Sequence, residues 1–168
     1  MPTVVFADGS SSGNPGPGGW GVVIATPEGQ VRELGGGDPE TTNNKMELTA
    51  TIRALEALRG VEGPISVYTD STYVIRGITQ WIWGWRKKGW KTAEGNDVSN
   101  QDLWKKLMAQ VVGKKINWKY VRGHTGVPGN ERVDEIAGVL TPDRDHPCPA
   151  EQPYDTRKDT WGSRIKLA

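Results

Sequence analysis

Residues 65–71 read Ile-Ser-Val-Tyr-Thr-Asp-Ser, and the organisation of the chain follows from this stretch. The stretch follows a Gly-Pro pair, is rich in β-branched and aromatic residues, and ends in a carboxylate, which predicts a short buried strand with Asp70 at its carboxyl end. Ser71 stands where the N-cap of a following helix is expected. Residues 3–8, Thr-Val-Val-Phe-Ala-Asp, repeat the pattern of an apolar strand that ends in Asp. Ligand sites of open α/β sheets gather at the carboxyl ends of parallel strands, so we expect Asp8 and Asp70 to meet around a cation. Taken singly, each aspartate is equally well explained as a turn or capping residue.

The composition describes one globular domain without a membrane segment. The chain has 168 residues, and no apolar run approaches the roughly 18 residues of a membrane span. The amino terminus enters the first strand directly, so no signal peptide is expected. A single cysteine, Cys148, excludes an internal disulfide and is compatible with a reducing cytosol. We therefore expect a cytoplasmic protein. Because the net charge is only +1, a nucleic-acid partner would have to be recognised by clustered charges.

The elements on either side of the central stretch predict an α/β fold. They are a hairpin (residues 20–25 and 30–35), a helix over 49–58 with a Thr or Asn cap before it, a helix that begins at Asn100, a strand over 115–121, and a helix that Asn130 caps. This order predicts a mixed five-stranded sheet, an antiparallel hairpin plus parallel strands, with helices on both faces.

Two other segments have an unusual composition. Residues 9–19 are rich in glycine, and they overlap a match to the dinucleotide-binding fingerprint that we discount, since the chain continues as a strand where that motif needs a helix. The glycines are expected to let the backbone approach a ligand. Residues 141–168 are rich in proline and lack periodicity, which predicts a disordered or loosely docked tail after a domain of residues 1–140.

Four carboxylates are candidates for one metal centre. They are Asp8, Glu47, Asp70 and Asp134. Asp70 stands at a strand end, and Asp134 lies near the start of the final helix. Carboxylates without a His or Cys ligand set favour Mg²⁺ over Zn²⁺. A pair of Mg²⁺ ions roughly 3.5–4 Å apart is the usual arrangement for hydrolysis of a phosphodiester. For Glu47 the alternative is simple stabilisation of the helix dipole.

Residues 80–91 combine tryptophans with positive charges. Four of the chain's eight tryptophans lie here beside Arg86, Lys87, Lys88 and Lys91, with no acidic residue between them. Such a surface suits stacking on bases or sugars and neutralisation of phosphates. The alternative is a short amphipathic helix with buried tryptophans, and we expect one or both of Trp83 and Trp90 to be core residues in either case. His124, in a Gly-rich loop, is a candidate proton carrier or an ordinary surface histidine.

Six segments of the chain resemble type 1 ribonuclease H, the family of bacterial ribonuclease HI, over about residues 3–140. They are Asp8-Gly-Ser, Gly13-Asn-Pro-Gly-Pro-Gly-Gly, Thr41-Thr-Asn-Asn-Lys-Met-Glu-Leu, Thr69-Asp-Ser, Gly77-Ile-Thr-Gln-Trp-Ile and Gly123-His followed by Asn130-Glu-Arg-Val-Asp-Glu. The resemblance implies a ribonuclease H-like fold and hydrolysis of the RNA strand of RNA–DNA hybrids to 5′-phosphate and 3′-hydroxyl ends. It implies that Asp8, Glu47, Asp70 and Asp134 bind two Mg²⁺ ions, or Mn²⁺, and that His124 shuttles protons or helps product leave. A monomer that binds the hybrid is expected.

The resemblance also implies how the hybrid is bound. Asn14, Asn43 and Asn44 would face the minor groove and sense 2′-hydroxyls, the groups that separate RNA from DNA. Tyr73, Trp81 and Trp85 would form a channel for the DNA strand, with Arg86, Lys87 and Lys88 beside it. Thr42 and Asn100 would form a pocket for a DNA phosphate.

The chain departs from the family pattern at two places. Glu40 replaces an arginine that many relatives carry near the phosphate pocket, and residues 94–97 are acidic where relatives often have lysines. Hybrid affinity is therefore expected to be lower and to rest more on residues 86–91. A catalytically silent hybrid-binding module and an actin-like nucleotide-binding lobe are the alternative functions. The first requires loss of an acidic ligand, and the second requires two lobes.

Overall fold

The computed structural model describes residues 2–122 and 127–142, and the backbone of residues 152–154. The strands are β1 (Thr3–Ser11), β2 (Gly16–Ala25), β3 (Val31–Thr41), β4 (Pro64–Thr69), β5 (Lys115–Tyr120) and β6 (Gln152–Tyr154). The helices are α1 (Asn43–Ala57), α2 (Thr72–Arg76), α3 (Ile82–Lys87), α4 (Gln101–Val111) and α5 (Pro128–Leu140), and a π-helical segment (Gly77–Trp81) joins α2 to α3. Within the described residues, no helix is long and apolar enough to cross a membrane.

The sheet has the strand order β5-β4-β1-β2-β3-β6. β1, β2 and β3 pair antiparallel, while β4 and β5 add parallel strands on the other side of β1. The predicted α/β fold with a mixed five-stranded sheet is therefore confirmed. β6 extends it by a short sixth strand, because residues 152–154 of the expected tail pair with β3. The predicted boundary at residue 140 stays a prediction, and residues 143–151 and 155–168 lie outside the described part.

The alternating side chains of β1 separate the core into two layers. Val5 and Ala7 pack on one side of the sheet with residues of α1 and α4. Val4 and Phe6 point to the other side, where they meet Val133 and the rest of the buried face of α5. Because successive strand residues face opposite sides, a strand covered by helices on both faces is apolar almost throughout.

α5 lies directly on the backbone of the hairpin. A Cβ atom on Gly21 would come within 2.6 Å of the Val133 carbonyl oxygen, and one on Gly37 would come within 2.1 Å of the Leu140 carbonyl oxygen. No side chain fits between the helix and the sheet at these points. The glycines of β2 and β3 therefore set the height of α5 above the sheet.

Two predicted boundaries differ from the structure. Asp8 does not end β1, which continues to Ser11 because β2 pairs with it as far as Gly18. The Gly-rich stretch is therefore largely strand rather than loop. Asn130 is not the cap of the last helix, since Pro128 occupies the first turn and Val127 the N-cap position.

Candidate active site

Asp8, Glu47 and Asp70 come together at one edge of the sheet. β1 and β4 pair in parallel with Phe6 opposite Tyr68, and two further residues along each strand bring Asp8 level with Asp70. Glu47 lies on α1, which packs against β1 so closely that a Cβ on Gly9 would be 2.7 Å from the Glu47 nitrogen. Each of the three residues offers an oxygen, and these oxygens all lie within 4.8 Å of one another. The expected approach of Asp8 and Asp70 is therefore observed, and Glu47 joins them.

Asp134 reaches the same cavity from the other face of the sheet. The cavity has a volume of about 430 Å³, and Asp134 lines it together with the three other carboxylates. The side chain is exposed and belongs to the second turn of α5, not to the first, because the helix begins at Pro128. Among the described residues, the group within 4.8 Å comprises Asp8, Glu47 and Asp70 alone, so Asp134 is the outlying carboxylate.

Asp8 and Glu47 hold their protons more tightly than an ordinary carboxyl group. Burial raises the pKa of Asp8 to about 8, and the charges of Asp70, Asp134 and Glu47 add to the rise. Burial also raises the pKa of Glu47 to about 7, with a smaller contribution from Asp70 and an opposing one from a hydrogen bond. Desolvation disfavours an ionised carboxylate, and a nearby like charge disfavours it further. A positive charge in the cavity would favour ionisation of Asp8 and Glu47 at neutral pH.

Ser71 fixes the orientation of Glu47. Its hydroxyl donates to Glu47 Oε2 at 2.6 Å and accepts from the Val74 backbone nitrogen at 3.1 Å, as the N-cap of α2. The capping role was predicted, but the contact with Glu47 was not, because the two residues are separated by 24 positions in the chain. The direct adjacency of Ser71 to Asp70 was the only signal that could have suggested it.

The donor set fits a hard divalent cation. Carboxylate oxygens from three elements converge within one cavity, and Mg²⁺, Mn²⁺ and Ca²⁺ are the ions that prefer such ligands. A divalent cation would also neutralise the repulsion that raises the pKa values of Asp8 and Glu47. The residues present therefore fit a metal of this class.

The predicted minor-groove asparagines lie beside the carboxylates. Asn43 and Asn44 are exposed and line the cavity. Asn43 Oδ1 accepts from the Ser11 backbone nitrogen at 2.7 Å, and the Asn43 backbone nitrogen donates to Asn14 Oδ1 at 3.1 Å. These bonds tie the start of α1 to the end of β1. Asn14 and Asn43 thus have a structural role in addition to any contact with substrate.

An aromatic cluster occupies the predicted channel. Tyr73 and Trp81 have ring centroids 5.8 Å apart, as have Trp81 and Trp85, and the exposed fraction of Trp81 is 36%. Trp90 is buried as expected. Trp83 is not a core residue, because its exposed fraction is 53% and it lies on the outer face of α3.

The predicted cationic residues divide into two groups. Arg86, Lys87 and Lys88 are exposed at the end of α3, next to the aromatic cluster. Lys91 forms an ion pair with Asp97 of the acidic loop and holds the pKa of that carboxyl below its usual range. The loop therefore neutralises one of the charges that the sequence assigned to hybrid binding.

One side-chain oxygen of the predicted phosphate pocket, that of Thr42, already caps a helix. Thr42 is the N-cap of α1, and its hydroxyl oxygen accepts from the Lys45 backbone nitrogen at 3.2 Å. Asn100 stands at the N-cap position of α4 but makes no capping bond with its side chain, contrary to expectation. Its backbone is left-handed, with φ 59°, and its amide instead donates to the Tyr73 hydroxyl at 3.2 Å. Glu40 is exposed at the end of β3. His124 lies outside the described residues.

Comparison with known proteins identifies relatives over most of the chain. The family model described as RNase H matches residues 1–140. Ribonuclease HI of Pseudomonas aeruginosa strain PAO1 is 54% identical over 134 residues, 80% of this chain and 89% of that protein. Ribonuclease H of Cyanothece sp. is 52% identical over 141 residues, 83% of this chain and 89% of that protein.

Solved structures show the same fold. LC9-RNase H1, a type 1 RNase H with the type 2 active-site motif, superposes with a TM-score of 0.73 at 28% identity, covering 99% of this chain and 87% of that one. LC11-RNase H1 in complex with an RNA/DNA hybrid gives a TM-score of 0.63 at 26% identity, covering 82% of this chain and 94% of that one.

Proposed function

Since the chain belongs to the RNase H family and is a ribonuclease H, we propose that it cleaves the RNA strand of RNA–DNA hybrids by two-metal-ion catalysis with Mg²⁺. The products would be 5′-phosphate and 3′-hydroxyl ends. The observation that carries the proposal is the convergence of Asp8, Glu47 and Asp70 within 4.8 Å at the sheet edge.

The four carboxylates would share the metal ions. Asp8, Glu47 and Asp70 would form the inner set, and Asp134 would complete it from α5. When bound, the ions would supply positive charge to the phosphoryl oxygens and lower the pKa of the attacking water. Asp8 and Glu47 must lose their protons to act as ligands, since only the ionised carboxylate binds a hard cation well. The hydrogen bond from Ser71 holds Glu47 in place for this.

The hybrid would lie across the cavity and the aromatic cluster. Asn14, Asn43 and Asn44 would contact the minor groove on the RNA side, and Tyr73, Trp81 and Trp85 would contact the DNA sugars. The exposed charges of Arg86, Lys87 and Lys88 would neutralise backbone phosphates, an effect that weakens with salt. Thr42 and Asn100 would hold one DNA phosphate. The Lys91–Asp97 ion pair and the exposed Glu40 support weaker overall binding than a more basic surface would give.

The role of His124, two cellular properties and the choice of metal complete the proposal. His124 would transfer protons or assist product release, at a rate benefit of about 10²-fold. The protein would act as a cytoplasmic monomer. Mn²⁺ would replace Mg²⁺, because both ions accept carboxylate oxygens. Neither a silent binding module nor an actin-like lobe is favoured by any feature of the described site.

The decisive experiment compares three duplexes of identical sequence. An RNA–DNA hybrid, an RNA–RNA duplex and a DNA–DNA duplex, each labelled on one strand, are incubated with the protein in Mg²⁺ and in EDTA. We expect cleavage of the RNA strand of the hybrid alone, and only with Mg²⁺. Analysis of the new ends tests for 5′-phosphate and 3′-hydroxyl groups. Cleavage in EDTA, or equal cleavage of RNA–RNA, would contradict the proposal.

A further inference from the structure

The position of Asp134 is set by how α5 is placed on the sheet. The other three carboxylates are held more directly by the elements that carry them. Asp8 lies within the paired part of β1 and Asp70 directly follows β4, while Glu47 is held by the contact of α1 with Gly9 and by Ser71. Asp134 is exposed, and it enters the cavity from a helix that rests on glycine backbone. That contact sets the height of the helix. At these glycines no sheet side chain interlocks with the helix, and the apolar contacts of its buried face with Val4, Phe6 and Val23 are less directional than hydrogen bonds.

A buried ion pair fixes α5 against such movement. Glu33 of β3 is fully buried, with an exposed fraction of 0%. Its carboxylate accepts from Arg132 of α5, with Nε 3.0 Å from Oε2 and Nη2 3.5 Å from Oε1. Arg132 Nη1 also donates to Glu135 at 3.0 Å, so the guanidinium bridges the sheet and the helix itself. An arginine fork held by two carboxylates has one favoured orientation.

The ion pair lies two residues before Asp134 on the same helix. Side chains two positions apart in an α-helix point about 200° apart around its axis, so Arg132 and Asp134 lie on nearly opposite sides of α5. A rotation of α5 that moved Arg132 out of contact with Glu33 would swing Asp134 by a comparable distance at the cavity. A displacement on the order of 1 Å at a catalytic group is enough to reduce turnover about 10²-fold.

The chemistry of the pair also favours a role in geometry. Burying two charges incurs a desolvation penalty that well-packed apolar side chains of similar size would avoid. Simple stability is therefore a weak reason for a fully buried glutamate on β3. Hydrogen bonds are directional, so they can fix one rotation of the helix, whereas an apolar contact cannot.

We propose that the Glu33–Arg132 ion pair is a positioning device that sets the rotation of α5 and so holds Asp134 at the metal site. The inference rests on the proposed metal site. Glu33 and Arg132 are positioning residues, which contact neither metal nor substrate. Their removal should weaken metal binding by a folded protein.

The test measures Mn²⁺ binding to the full chain without substrate, from the spin-resonance signal of the free ion. Glu33→Leu removes both hydrogen bonds at similar volume, and Glu33→Gln keeps an acceptor for Arg132. Leu107→Ala, in the fully buried face of α4 on the other side of the sheet, is the control for lost stability. All measurements are made at a temperature at which circular dichroism shows each variant to be folded.

We expect Glu33→Leu to weaken Mn²⁺ binding on the order of 10-fold, within the range for residues that orient metal ligands. Glu33→Gln should recover most of the affinity, and Leu107→Ala should bind as the wild type does. Wild-type binding by folded Glu33→Leu, or an equal loss in Leu107→Ala, would overturn the inference. If Glu33→Leu does not fold, Arg132→Lys is the test variant, because lysine keeps the positive charge but lacks the forked guanidinium. Unchanged Mn²⁺ binding by Arg132→Lys would overturn the inference.

The same assay separates this inference from the proposed function. If the wild-type chain binds no Mn²⁺, the metal site itself is wrong and the inference falls with it. If the wild type binds Mn²⁺ and loses it on Asp70→Asn, the site stands. The comparison between wild type and Glu33→Leu then tests the positioning role alone.

Discussion

Replacing Asp70 with asparagine should stabilise the metal-free protein at alkaline pH and nearly abolish cleavage. Burial raises the pKa of Asp8 to about 8 and that of Glu47 to about 7, and the charge of Asp70 contributes to both shifts. At pH 9 both neighbours are ionised, and three carboxylates with oxygens within 4.8 Å repel one another. Asparagine has nearly the same shape and no charge, so the repulsion that involves residue 70 disappears.

The size of the effect follows from the separation of the charges. Two unit charges 4.8 Å apart interact by about 3.5 kcal/mol at an effective dielectric constant of 20 and by about 0.9 kcal/mol in bulk water. The cavity is open to solvent and Asp70 is only half-buried, so we expect a gain of about 1–3 kcal/mol in the free energy of unfolding at pH 9. At pH 5, Asp8 and Glu47 carry protons, and the gain should approach zero.

The wild-type protein should show the corresponding pH dependence. The folded-state pKa values of Asp8 and Glu47 are raised above their ordinary values of 3.8 and 4.5. The folded protein therefore binds more protons than the unfolded chain between about pH 4 and pH 8. The stability that these two groups contribute is fully present below about pH 4 and is lost as the pH rises through 7 to 8. In EDTA, the wild-type free energy of unfolding should fall between pH 5 and pH 9.

The assay is urea unfolding in EDTA at pH 5 and pH 9, followed by circular dichroism. Asp97→Asn is the matched control, because Asp97 is an exposed carboxylate whose pKa Lys91 lowers, and its removal should not stabilise the protein at pH 9. A gain from Asp70→Asn that is equal at both pH values, or a loss at pH 9, would refute the electrostatic reasoning. Cleavage of the hybrid in Mg²⁺ near the wild-type rate by folded Asp70→Asn would refute the metal assignment.

Three further predictions concern other parts of the chain. His124→Ala should slow hybrid cleavage about 10²-fold with little change in hybrid affinity, and a large loss of binding instead would make His124 a substrate contact. A chain that ends at Pro142 should cleave the hybrid within a few-fold of the full-length rate and melt at a modestly lower temperature, because the truncation removes the short pairing of β6 with β3. A truncated chain that folds but does not cleave would show that the tail belongs to the active site. Gly77→Ala should lower the free energy of unfolding by about 1–3 kcal/mol, since its Cβ would lie 1.9 Å from the Trp104 ring, and Gly84→Ala, with open space around it, is the control that should not destabilise.

Much of the fold was predictable because its signals are local. The apolar strands that lead to Asp8 and Asp70, the hairpin, and the apolar spacing of α1 depend on residues within a few positions of one another. Side-chain type alone also indicated a hard metal ion. The helix boundaries were less certain, as Pro128 and the left-handed Asn100 show, because capping depends on which residue starts the helix.

The sequence by itself determined most of the elements, the candidate acidic residues and the family. The tertiary structure alone decided which side chains meet: that Ser71 orients Glu47, that Glu33 binds Arg132 across 99 positions of the chain, and that Trp90 is buried while Trp83 is not. The same is true of the raised pKa values of Asp8 and Glu47, which depend on burial and on charges from other elements. The physical reason is that periodicity and turn chemistry act between neighbours in the chain. Burial, hydrogen-bond partners and electrostatic fields are fixed only when strand register and helix packing bring distant residues together.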